Sequence, residues 1–177
     1  DMGYNVPEFD FSLKGVCSIT VDPHKMGLAP IPSGGILFRN SESIKPVSIR
    51  VPYLSGGEIT QGTISGTRSG ASAIVVWALL KHLGREGYQK VVKRCMDLTN
   101  MIVKRVKRSK KVYLIMNPIM NIVGLASHSL EPKKLAEGLR KRGWAVSFTP
   151  THIRLVIMPH LKKKHILRFL SDLEELA

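Results

Sequence analysis

The run from Ala71 to Leu83, ASAIVVWALLKHL, is apolar nearly all the way round a helix of 3.6 residues per turn, so it has no face suited to water. Such a helix is expected in the interior of a larger body. Its small first residues let another backbone or a ligand come close. The chain around it has 177 residues, 44% hydrophobic and 23% charged, a globular composition with enough length for one domain or somewhat more. No apolar run reaches the ~18 residues that a membrane-spanning helix needs, and the N-terminus lacks the basic-then-apolar layout of a secretion signal. No membrane partner is expected.

Two short β-rich runs precede this helix. Gly15 to Val21 (GVCSITV) is closed by Asp22-Pro23, and Gly34 to Phe38 (GGILF) is reached through Pro30, Pro32 and Ser33. Their near-continuous apolarity predicts strands buried on both faces, in a sheet covered by helices. A polar stretch, Asn40 to Lys45, and a short apolar one ending Val51-Pro52-Tyr53-Leu54 follow. Then comes a glycine-rich loop, Ser55 to Gly70 (SGGEITQGTISGTRSG), of the kind that moves or wraps a ligand.

Beyond the Gly84 to Gly87 break, Tyr88, Val91, Val92, Cys95, Leu98, Thr99, Ile102 and Val106 fall three or four apart, with Lys90, Lys93, Arg94, Lys104 and Arg105 opposite them. This predicts an amphipathic helix. The pattern then becomes strand, strand, helix, strand, strand, helix: 112–116, 122–126, 132–142, 145–149, 153–158 and 162–176. Ser129 is a candidate N-cap, Pro132 sits where proline is tolerated, and Gly143 follows the helix end. A small α+β body is expected, an antiparallel sheet with helices on one face.

Cys17 and Cys95, each within an apolar run, read as buried free thiols of a reducing compartment, so the cytoplasm is the expected location. The six histidines show no spacing that gathers two on one metal, and no metal site is expected. Neither a GxGxxG turn, a P-loop nor a Gly-x-Ser-x-Gly elbow is present. The formal charge of +14 and the basic run Val103 to Lys111 raise a nucleic-acid-binding alternative. Aromatic residues are only 6%, and none is interleaved with these charges to stack bases. The run therefore reads as the solvated end of an amphipathic helix, with no nucleic acid partner.

Lys25 lies in the loop joining the first two strands, within Asp22-Pro23-His24-Lys25-Met26-Gly27. A lone lysine at a strand end is ordinarily a surface residue. Here an imidazole is adjacent, both flanking runs read as buried, and the loop is stiff. A lysine that loses hydration in such a place has a more available lone pair and becomes a nucleophile toward aldehydes.

At DPHKMG the sequence resembles the group II pyridoxal-phosphate-dependent amino acid decarboxylases, which usually show Asn-Pro-His-Lys, and most closely the archaeal L-tyrosine/L-aspartate decarboxylases. The likeness continues through SGGILFRN, GTISGTRSG and ASAIVVWALLKHLGREGY, and more weakly through RLVIMPH. It implies an α/β chain: residues 1–108 as the C-terminal part of the large domain of a fold type I pyridoxal-phosphate-dependent transferase, and 109–177 as its small α+β C-terminal domain. The resemblance further implies pyridoxal 5'-phosphate as cofactor, a homodimer with shared active sites, and Lys25 as the Schiff-base lysine. By the same resemblance His24 contacts the cofactor phosphate, and the turn Gly66-Thr67 supplies a phosphate contact from the neighbouring subunit. Arg68 is a candidate to hold that turn or meet an anion, and Arg154 is either the residue for the substrate carboxylate, with which a guanidinium pairs in a two-pronged way, or an ordinary surface arginine of a strand.

The activity so implied is carboxy-lyase chemistry on a small amino acid: L-aspartate to β-alanine for coenzyme A, L-tyrosine to tyramine, or L-glutamate. A further alternative is a non-catalytic module of the same fold. Asp1, Asp10 and Asp22 do not match the family's Asp-x-Ala aspartate that keeps the pyridine nitrogen protonated, and the ring-stacking residue is missing too. The expectation is therefore a C-terminal half that needs the N-terminal half of the same enzyme as partner. Ile59-Thr60 stand near where related enzymes often hold a loop tyrosine, and Tyr53 is the only tyrosine close by.

Overall fold

The computed structural model describes residues 2–53 and 55–177; Asp1 and Leu54, the latter ending the apolar stretch noted above, lie outside the described residues. The chain divides into two compact units, Val6–Arg85 and Glu86–Ala177, the second joined by the residues before Val6.

In the first unit, β1 (Ser18–Val21) pairs antiparallel with β2 (Gly35–Phe38), in the register Ser18 with Phe38 and Val21 with Gly35. Everything between Val21 and Gly35 is thus the loop of one wide hairpin. Arg39 ties the residues before β1 to this hairpin. Its guanidinium donates to the carbonyls of Val16, Phe11 and Leu13, at 2.7, 2.9 and 2.6 Å, and lies over the Phe11 ring. A 3-10 helix, Ser41–Val47, follows, started by the Asn40 side chain accepting from the Ser43 N–H. Then β3 (Ile49–Val51) pairs with β4 (Ile59–Gln61), so part of the glycine-rich loop is a second small hairpin that the sequence pattern does not announce.

The predicted burial on both strand faces is not found. Val21, Ile36 and Leu37 are exposed, and Ala29 is the only buried hydrophobic residue among the described residues of this unit. Double-sided burial takes a layer on each face of a sheet, and a two-stranded hairpin supplies neither. Cys17 likewise proves exposed, not buried, whereas Cys95 is buried.

The long helix α1 (Ala71–Val106) is broken at Gly84, whose φ of 56° and ψ of −168° lie in a region that glycine alone visits readily. Its first segment belongs to the first unit, and there Ile74, Trp77 and Leu80 are 66%, 63% and 56% exposed, against the expected burial. Its second segment opens the second unit and buries Cys95, Met96, Leu98, Thr99, Ile102 and Val106, most of the predicted apolar face.

The second unit is built on a four-stranded antiparallel sheet in the order β5-β6-β8-β7, from Val112–Leu114, Ile122–Ser127, Ile153–Val156 and Ser147–Phe148. The helices α2 (Pro132–Lys141) and α3 (Lys163–Leu176) close one core with it. Val123, Leu125 and Ile153 from the sheet meet Leu135 and Leu139 of α2, Leu173 of α3, and Ile102 of α1; all seven are fully buried. The N-cap of α2 is Glu131 without a side-chain cap bond. Ser129, the predicted cap, donates instead to the Ala177 carbonyl at 2.8 Å. No helix among the described residues is long and apolar enough to cross a membrane.

Candidate functional site

The loop after β1 is a closed turn. The Lys25 N–H donates to the Asp22 carbonyl at 3.0 Å, Leu28 N–H to the Lys25 carbonyl at 3.1 Å, and Ala29 N–H to the Pro23 carbonyl at 2.9 Å. Leu28 sits at a φ of 63°, so the chain reverses sharply just past the lysine. Proline fixes one side of this turn, and three backbone bonds fix the rest. A side chain on Lys25 therefore leaves from a defined point.

The ammonium itself is not desolvated. The Lys25 side chain is 66% exposed, and its Nζ meets the Asp22 carboxylate at 2.5 Å. The lost hydration expected of a nucleophilic lysine is not found in this chain, where the amine is open to solvent and carries a counter-ion instead. The same contact holds the Asp22 carboxyl below its ordinary value, with the Lys25 hydrogen bond as the largest cause. In the sequence Asp22 closes the strand, stands where the resembling family usually has asparagine, and does not match that family's pyridine-nitrogen aspartate. An acidic residue three positions before a lysine across a turn was the available signal.

His24 is half-buried beside this pair. Its Nδ1 accepts from the Ser33 N–H at 3.3 Å, which leaves the proton of the neutral ring on Nε2, and Nε2 stands 3.9 Å from Asp22 Oδ1. The Ser33 hydroxyl is buried with no hydrogen-bond partner among the described residues. A buried hydroxyl without a partner is uncommon in a folded protein. Pro23, Ser33 and Gly34 also border a cleft of about 510 Å³, completed by Arg68, Ser69 and the α1 residues from Ser72 onward.

A primary amine, an imidazole N–H and a free hydroxyl around one turn suit a small anionic carbonyl compound, since the amine condenses with the carbonyl and the others donate to an anion. The residues present therefore fit the kind of cofactor that the sequence implies. In the same unit, Gly66, Thr67 and Arg68 line a second cleft of about 350 Å³ together with Tyr53, Ile59 and Gln61. Tyr53 is 82% exposed. Gln61 Nε2 donates to the Ser65 carbonyl at 2.9 Å and braces the approach to the Gly66-Thr67 turn.

Arg154 lies in the second unit. It sits on β8 opposite Gly124 of β6 and Ser147 of β7, exposed, between the core residue Ile153 and half-buried Leu155. It also borders a cavity of about 210 Å³ with Trp144, His160 and His165. Among the described residues, no group of His, Cys, Asp or Glu is arranged to hold a metal.

Comparison with known proteins gives the family and the fold. Residues 3–127 match the pyridoxal-dependent decarboxylase conserved domain. The L-aspartate decarboxylase of Thermococcus kodakarensis is 51% identical over 99% of this chain, and a probable L-tyrosine/L-aspartate decarboxylase of Methanothermobacter thermautotrophicus is 49% identical over 98%. The chain spans only 45% and 48% of those two relatives. Among solved structures, the sphingosine-1-phosphate lyase of Burkholderia pseudomallei superposes with a TM-score of 0.87 at 27% identity, over 99% of this chain and 40% of that one. The architecture is that of part of a fold type I pyridoxal-phosphate-dependent enzyme, with a small α+β body at its end. By its sequence profile and its fold, the chain belongs to the pyridoxal-dependent decarboxylase family.

Proposed function

We propose that the complete protein is a pyridoxal-phosphate-dependent amino acid decarboxylase and that this chain is the half carrying its Schiff-base lysine, Lys25. The observation that carries this reading is the closed Asp22–Gly27 turn, which presents a primary amine next to an imidazole in a chain of that family. When bound, pyridoxal phosphate supplies an electron-withdrawing ring that accepts the electrons of the bond to the lost carboxylate.

The remaining roles fall to this chain. Lys25 would hold the cofactor through its Nζ and would yield that place to a substrate amine. His24, oriented by the Ser33 N–H on its Nδ1, would have its Nε2 proton to offer a phosphate. Gly66 and Thr67 offer backbone N–H groups to a phosphate of the neighbouring subunit in a homodimer. Arg154 holds the substrate carboxylate through a two-pronged guanidinium contact. By the resemblance residues 1–108 are the end of the large domain and 109–177 the small domain, while the compact units part at Arg85 and Glu86; the N-terminal half of the enzyme is the partner and the cytoplasm the location. The relatives' names favour L-aspartate, giving β-alanine toward coenzyme A, with L-tyrosine and L-glutamate next.

The test uses the complete protein with pyridoxal phosphate, reduced with borohydride and mapped by mass spectrometry. The adduct is expected on Lys25, and carbon dioxide release is expected from one of the three amino acids. An adduct on another residue sinks the assignment.

A further inference from the structure

Lys25 is held at its side chain as well as at its backbone. Its Nζ is docked on Asp22 Oδ2, while the other carboxylate oxygen faces His24 Nε2 at 3.9 Å. A methyl group on Gly34 would come within 3.2 Å of Asp22 Oδ1, so the absence of a side chain at 34 leaves the space it occupies. The Asp22 backbone is fixed by the register of Val21 with Gly35 and by its carbonyl accepting from the Lys25 N–H. An asparagine of the same shape, the usual family residue, carries no charge to hold an ammonium.

We propose that Asp22 is a positioning residue for Lys25: its carboxylate receives the ammonium whenever the amine is not condensed with a carbonyl, and so governs how readily Lys25 engages one. This rests on the reading above, in which Lys25 is the condensing amine. To leave Asp22, the ammonium releases one proton to solvent. The neutral amine then attacks the carbonyl carbon, the C=N bond forms, and the carbonyl oxygen departs as water. On release an arriving amine takes the carbonyl carbon in place of Lys25, no water being consumed, and the freed neutral amine regains one proton from solvent. Asp22 gains and loses no atom in either direction. It biases the uncondensed state, and the size of that bias is that of a half-exposed ion pair, about two- to fivefold in an equilibrium or rate.

Two measurements on the complete protein separate this proposal from the function it rests on. In the first, cofactor-free protein is labelled with a trace of acetic anhydride between pH 7 and 10, and the rate at Lys25 is compared with that at exposed Lys14 by mass spectrometry. Asp22→Asn is expected to raise relative labelling of Lys25 by about two- to fivefold, and Asp22→Glu to keep it near wild type. In the second, pyridoxal phosphate is added and the borohydride-fixed adduct is followed with time, with faster formation expected in Asp22→Asn. Equal labelling and equal adduct formation in wild type and Asp22→Asn overturn the proposal. A wild-type protein that forms no adduct at Lys25 overturns the functional reading, while the labelling ratio still decides whether Asp22 holds the ammonium.

Discussion

Gly27 folds back on Pro23 so closely that a methyl group at 27 would stand 2.6 Å from the Pro23 carbonyl oxygen and 2.7 Å from its Cα. Both atoms are backbone, so neither yields cheaply. Gly27→Ala is expected to open the turn that presents Lys25, lowering the yield of borohydride-fixed adduct well below wild type. The second unit, which shares no residue with the turn, should keep its unfolding midpoint. Adduct formation at the wild-type rate would show that the close approach does not matter.

Lys25→Ala removes an exposed ammonium and leaves no cavity, so stability should change by no more than about 0.5 kcal/mol, read from denaturant unfolding. Adduct formation and turnover should vanish together. A large loss of stability would give Lys25 a structural role.

Arg154→Lys keeps the charge and removes the planar fork that matches a carboxylate. If Arg154 binds substrate, KM should rise about tenfold or more while the adduct on Lys25 is unaffected. A kcat that falls at unchanged KM would place Arg154 elsewhere in the cycle.

The Trp144 indole N–H donates to Asp172 Oδ2 at 2.6 Å, and Arg142 donates to Oδ1 at 3.2 Å. The indole bond, chiefly, holds the Asp172 carboxyl below its ordinary value, with Arg142 adding to it. A carboxyl depressed by folding contributes stability above its unfolded value and loses it as the pH falls through the lower, folded one. Thermal midpoints should therefore drop on acidification from pH 7 to about pH 2, and drop less in Asp172→Asn. Trp144→Phe should move the Asp172 titration upward, as followed by side-chain carboxyl NMR.

Leu139 has no exposed surface and packs between α2 and the sheet. Leu139→Ala should cost about 2–5 kcal/mol through lost burial and the cavity left behind. Urea unfolding of the second unit would measure it.

The second unit was legible because its core repeats the sequence period. Cys95, Leu98, Ile102 and Val106 recur every three or four residues, and the antiparallel pairing of Ile122–Ser127 with Ile153–Val156 sits where the short apolar runs stand. The first unit was harder to read for a physical reason. Its apolar runs report what strands and helices are built to touch, and in this chain, which spans under half the length of its relatives, Ile36 and Leu37 of β2 and Ile74 of α1 stand exposed. The turn at Lys25 was found from local chemistry, but the state of the amine was not, because an ion pair across a turn depends on where two side chains lie rather than on their period. The β3–β4 hairpin escaped notice for the opposite cause: glycines mask a short strand that pairs mainly through its backbone.

Trp77 stands on a helix face that water now covers, at 63% exposure, whereas Trp144 is tied to Asp172. The molecule thus carries its own optical gauge. Indole emission moves to shorter wavelength when the ring enters an apolar environment, so anything that settles on the Ile74–Trp77–Leu80 ridge will announce itself as a blue shift, and substituting Trp144 by phenylalanine leaves that signal as the chain's sole tryptophan fluorescence.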